Sequence, residues 1–86
     1  MKLEVRTFRP NDGLGALKVL EEAAECQVAY KDWKTSGGDT HALEFVDELA
    51  DVVMAACNLA ELEGIDLQSA IGFCEKRNEA RGRYGE

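Results

Sequence analysis

EFVDELADVVMAACN, residues Glu44 to Asn58, has the spacing of a helix. At 3.6 residues per turn, Glu44, Glu48, Asp51 and Asn58 fall in one row. Phe45, Val46, Leu49, Val52, Val53, Met54, Ala55, Ala56 and Cys57 fill the rest of the surface. A helix this apolar is built for burial, and carboxylates carried into such surroundings call for a cation.

Working outward, TSGGD at Thr35 to Asp39 is the clearest loop, and Asp39 or Thr40 is placed to cap the helix that follows. That helix should run about 23 residues and stop before Gly64. Upstream, a helix is expected from near Asp12 to about Lys34, with Leu17, Leu20, Ala24 and Val28 at helical spacing and Gly13 and Gly15 weakening its first turn. Downstream, Gly64-Ile65-Asp66 reads as a turn, and Asp66 caps a third helix reaching about Arg81 or Arg83. Residues 1–9 alternate loosely, as a short strand or an extended arm ended by Pro10 and Asn11-Asp12-Gly13. The expected fold is all-α: one domain, residues 1–86, with 1–12 as an N-terminal arm before three main helices. Three helices do not close a four-helix bundle, and the second is apolar nearly all round from Val52 to Cys57. The bundle is therefore expected to be completed by oligomerisation, as a homodimer or homotetramer.

Eighty-six residues bury only about 60% of the unfolded surface, which also favours a partner chain. No apolar run approaches the ~20 residues that cross a bilayer, so no membrane partner is expected. The first residues lack the apolar core of a secretory signal, and the expected compartment is the cytoplasm. With 17 acids against 10 bases the net charge is −7, which repels duplex nucleic acid. Yet Lys76, Arg77, Arg81 and Arg83 collect near the C-terminal end, a separation of sign that suits a small anion held between bases and a metal. Cys26, Cys57 and Cys74 are odd in number, far apart and without a C-x-x-C pair, so they read as reduced, buried small hydrophobes.

The first helix carries Glu21, Glu22 and Glu25 within KVLEEAAEC, and the second carries Glu48 and Asp51 within VDELAD. Glu22 and Glu25, like Glu48 and Asp51, stand at i, i+3, which puts each pair on one face. Antiparallel neighbours pack about 8–10 Å apart, so two such pairs can converge on one point. Desolvating four carboxylates costs several kcal/mol each, roughly ten times what pair contacts along a helix return, so ions must compensate. Donors that are all carboxylate oxygens suit Mg²⁺ or Mn²⁺, whereas zinc or a di-iron bundle site calls for Cys or an E-x-x-H pair. His41 is expected to be an exposed first-turn residue. The plainer reading of either motif alone is a solvated charged face; together on consecutive helices they favour a metal.

These residues resemble the all-α nucleoside triphosphate pyrophosphohydrolases, a superfamily that includes MazG-like proteins, dimeric dUTPases, dCTP pyrophosphatases and phosphoribosyl-ATP pyrophosphohydrolase. The shared pattern is E-E-x-x-E and then E-x-x-D on the next helix. Here it reads Glu21-Glu22-x-x-Glu25, 22 intervening residues, and Glu48-x-x-Asp51. The resemblance covers about Leu14 to Tyr84 and includes the G-I-D-L turn at Gly64 to Leu67. It implies Mg²⁺ held by Glu22, Glu25, Glu48 and Asp51, with Glu21 supporting them or orienting water. It also implies hydrolysis of a (d)NTP or non-standard nucleotide to the monophosphate and pyrophosphate. The family's last helix looks like K-x-x-x-N-x-x-R-Y. Lys76, Arg83 and Tyr84 fit, but Ala80 stands where Asn is expected and Asn78 falls two residues early. Arg77 and Arg81, four apart on one face, are offered as phosphate-binding bases instead. Trp33 and Tyr30 are candidates to stack on a nucleobase, against the plainer reading that they are core. Two other functions stay open: phosphoribosyl-ATP pyrophosphohydrolase, suggested by Lys18-x-x-Glu21-Glu22, and a non-enzymatic helical interaction module.

Overall fold

The computed structural model describes residues 4–9 and 15–85. It is all-helical among them: α1 (Gly15–Ser36), α2 (Asp39–Glu63) and α3 (Leu67–Ala80). The expected cap Asp12, with Pro10, Asn11 and Gly13, lies outside the described residues.

The TSGGD loop is tighter than its composition suggests. Thr35 and Ser36 stay helical, the Thr35 hydroxyl donating 2.9 Å to the Lys31 carbonyl, and only Gly37 and Gly38 are left to turn the chain. Both have positive φ, 68° and 87°, where a side chain is strained. Neither Asp39 nor Thr40 caps α2. Gly38 holds the cap position without a side-chain bond, and Asp39 sits in the first turn, where its charge faces the positive helix end. At the other end Gly64 adopts φ 67° and ψ 32°, and the Ile65 N–H donates to the Ala60 carbonyl at 2.8 Å. That is a Schellman closure. Asp66 caps α3 as its position requires, accepting from the Ser69 N–H at 3.1 Å and the Ser69 hydroxyl at 2.7 Å. The helix ends at Ala80, one to three residues short of the expected Arg81 or Arg83.

So short a turn folds α2 back along α1 as an antiparallel hairpin. Gly15, at the start of α1, lies so near α2 that a Cβ there would stand 2.8 Å from Leu59 Cδ1. At the far end Trp33 stacks on Phe45, with ring centroids 5.5 Å apart and planes at 19°. Between these ends the buried apolar residues are small: Ala29, Ala55, Cys57 and Ala60, with no large side chain fully buried among the described residues. Residues 4–9 form neither helix nor strand but lie as an extended arm along α2. The Phe8 N–H donates to Asn58 Oδ1 at 3.0 Å and Arg9 Nη2 to the Leu62 carbonyl at 3.2 Å.

α3 is different. It has no buried residue and no packing against α1 or α2 comparable to theirs with each other. The radius of gyration is accordingly 15.2 Å, where a compact chain of this length has about 12 Å. Cys74 on α3 is exposed rather than buried, because nothing covers that helix; Cys57 is buried, Cys26 half-buried, and all three are free thiols. No described helix is long and apolar enough to cross a membrane.

Candidate metal centre

The hairpin brings acids of both helices to one point. Glu22 and Glu25 on α1 and Glu48 on α2 each offer a carboxylate oxygen, and the three oxygens lie within 4.8 Å of one another. Glu22 is only 8% exposed. Its Oε1 is held by Lys18 Nζ at 3.0 Å, while its Oε2 is buried without a hydrogen-bond partner. Glu48 is half-buried, and its Oε2 is likewise buried and unpartnered. A buried, unpartnered carboxylate oxygen on each of two neighbouring acids is a costly arrangement for the bare protein.

The electrostatics respond to it. Partial burial pushes the Glu48 carboxyl above the ordinary carboxylate range, and the charges of Glu25, Asp51 and Glu22 and a hydrogen bond shared with Glu25 push the same way. Lys18 is held in its charged form, first by its hydrogen bond to Glu22 and then by the charge of Glu22, with Glu21 and Glu25 adding to it.

Not every expected ligand joins the trio. Asp51 is exposed and acts on Glu48 through its charge, without placing an oxygen in the cluster. Glu21 points outward too, exposed and 3.8 Å from Lys18 Nζ. The acidic row on α2 is therefore not buried as a unit: Glu44 and Asp51 are exposed, Glu48 is half-buried, and Asn58 is buried as the acceptor for the arm. His41 is half-buried rather than exposed, its Nδ1 3.5 Å from Glu44 Oε2.

Beside the trio, α1 and α2 flank an open cleft of about 440 Å³ lined by Ala24, Glu25, Val28, Ala29, Asp32, Glu44 and Glu48. Asp32 escaped the sequence reading, although its spacing of seven from Glu25 returns it to the same helix face. Lys76, Arg77, Arg81 and Arg83 are exposed on or just beyond α3 and do not line this cleft. Nor does Trp33, whose ring is occupied: Phe45 stacks on it, Tyr30 meets it edge-on at 6.3 Å, and Lys34 Nζ sits 3.9 Å from its centroid. The three rings gather at the turn end of the hairpin, with Trp33 and Phe45 half-buried and Tyr30 exposed.

A hard divalent cation fits this donor set. The donors are all carboxylates, two of the three acids carry a buried oxygen without a hydrogen-bond partner, and there is no sulfur or imidazole in the group. Set against known protein families, curated proteins and solved structures, the chain matches none of them.

Proposed function

We propose that this protein is a Mg²⁺-dependent nucleoside triphosphate pyrophosphohydrolase of the MazG-like type, working as a homo-oligomer. The observation that carries the reading is the convergence of Glu22, Glu25 and Glu48 from two helices, with unpartnered buried oxygens on two of them. Mn²⁺ has the same donor preference and is the alternative ion.

Glu22, Glu25 and Glu48 would hold the metal, and Asp51 adds negative charge beside them. Bound there, Mg²⁺ would neutralise a triphosphate and favour attack of water at the α-phosphorus with pyrophosphate leaving. Lys18 fixes the Glu22 carboxylate in place by holding one oxygen and leaving the other for the ion. Glu21 and Asp51, exposed at the edge of the trio, are the carboxylates assigned to orient the water and take its proton. The cleft walls of Ala24, Val28 and Ala29 offer apolar surface beside the acids, suited to a sugar or base more than to phosphate. The bases for the phosphates are Lys76, Arg77, Arg81 and Arg83. Since α3 does not pack on its own hairpin, we assign them to a site completed in the oligomer.

The test is pyrophosphate release from the common NTPs and dNTPs, non-standard nucleotides and phosphoribosyl-ATP, each with and without Mg²⁺. Release that needs Mg²⁺ and disappears in Glu48→Gln, with helix content by circular dichroism intact, is expected. No release from any of them would leave the second reading, a helical interaction module, which the many exposed apolar side chains of α1 and α2 favour.

A further inference from the structure

Lys18 stands where helix stability alone would not put it. It falls in the first turn of α1, at the positive end of the helix dipole, and it precedes its partner Glu22 by four residues, the weaker order for a Lys–Glu pair along a helix. Its ammonium nonetheless reaches back to the acids. Nζ lies 3.0 Å from Oε1 of Glu22 and, less closely, 3.8 Å from Oε2 of the exposed Glu21. Glu22 is 8% exposed, and its other oxygen, Oε2, is buried without a partner. The most buried acid of the trio therefore has one oxygen committed and one free.

Divalent ions differ in what they ask of a carboxylate. Ca²⁺ gathers about six to eight oxygens in a flexible shell and accepts both oxygens of one carboxylate, whereas the smaller Mg²⁺ demands a near-ideal octahedron and keeps several waters in it. An acid able to give only one oxygen thus loses more as a ligand of Ca²⁺ than as a ligand of Mg²⁺.

We infer that Lys18 biases the trio towards Mg²⁺ and against Ca²⁺ by withholding Glu22 Oε1 from the ion. Lys18 is a positioning residue, acting through Glu22. This role rests on the cation reading of the proposed function and adds to it a choice between ions of equal charge. The competing role is purely electrostatic, the ammonium repelling every divalent ion alike. That would change both affinities by one factor and leave their ratio alone, so the ratio decides.

The experiment follows the melting temperature of the full chain by circular dichroism in MgCl₂ and CaCl₂ series at constant ionic strength, where the concentration at which each rise sets in reports Kd. In Lys18→Met the Ca²⁺ onset should fall relative to the Mg²⁺ onset by about threefold or more, the scale of one partly exposed ion pair. Lys18→Arg, which keeps a charged donor within reach of Glu22, should stay near the wild-type ratio. Lys18→Ala, with the strongest helix former in place, gives the same readout should Lys18→Met lose helix content. Equal movement of both onsets in the neutral variants, or no movement, overturns the role of Lys18 and leaves the cation reading standing. A wild-type chain whose melting temperature neither ion raises overturns the cation reading, and the role of Lys18 with it.

Discussion

Adding Mg²⁺ to the protein should raise its melting temperature along a slope fixed by how many ions the acids hold. Glu22, Glu25 and Glu48 offer one oxygen each within a span of 4.8 Å, room for one divalent ion per chain. An ion bound only by the folded state adds RT ln(1 + [L]/Kd), so each tenfold rise in free Mg²⁺ beyond Kd adds about 1.4 kcal/mol. For a chain of 86 residues, 1 kcal/mol moves the transition by about 4–8 °C, which gives a slope of roughly 6–11 °C per decade. The slope does not depend on the unknown affinity; only its onset does. The assay is helix content by circular dichroism against temperature, with free Mg²⁺ varied from about 0.1 to 10 mM and matched NaCl series beside it, because screening a net charge of −7 also stabilises. Glu22→Gln and Glu48→Gln should flatten the Mg²⁺ series towards the NaCl one. A Mg²⁺ curve that coincides with the NaCl curve, or an unchanged slope in Glu22→Gln, would refute the idea that this trio holds the ion.

Metal-free protein should melt higher as the pH falls from neutral towards the ordinary Glu value of 4.5, because a carboxyl raised in the fold binds a proton that the unfolded chain has already lost. That contribution is lost as pH rises through the folded-state pKa of Glu48, so Glu48→Gln should flatten the climb and raise the melting temperature at pH 7; an unchanged pH profile would count against the shift. Gly64→Ala should lower stability by about 1 kcal/mol, or roughly 4–8 °C, because of left-handed backbone strain alone. A Cβ there meets nothing within 4 Å, so a loss several times larger would mean that the strain account is incomplete. Asn58→Ala removes the acceptor for the Phe8 N–H and should cost about 1–3 kcal/mol while speeding exchange of that amide; unaltered exchange would show that the arm is held by other contacts.

The hairpin was legible because its signals are local. Apolar spacing in α1 and α2, two adjacent glycines between them and Gly64 after the last periodic residue all follow from backbone sterics within a few residues. The pairing of acids followed as well, since i, i+3 spacing on two antiparallel neighbours leaves few other places for Glu22, Glu25 and Glu48 to go. What misled was treating periodicity as burial. Helical spacing puts Glu44, Glu48 and Asp51 in one row, but the row straddles the edge of the α1 contact, so only Glu48 is drawn in. Asp39 misled for a related reason: a good capping side chain one residue inside the helix cannot cap it, and the choice between Gly38 and Asp39 depends on how Gly37 and Gly38 share the turn. The exposure of Cys74 and the isolation of α3 depend on contacts between elements, which spacing along one helix does not encode.

The two faces of α2 are chemically distinct. A hairpin whose buried apolar residues are three alanines and one cysteine has little hydrophobic area with which to offset the desolvation of Glu22 and Glu48. Under the proposed function a cation at the acids offsets that desolvation, while Leu43, Val46, Ala50 and Val53 stand exposed about 140–160° around α2 from Glu48. Because the two lie on opposite sides of one helix, they are separable by mutation. Val46→Glu should leave the response of the melting temperature to Mg²⁺ intact, and Glu48→Gln should change that response. If Val46→Glu removed it as well, holding the ion would depend on the apolar side, and the separation of the two sides of α2 would be wrong.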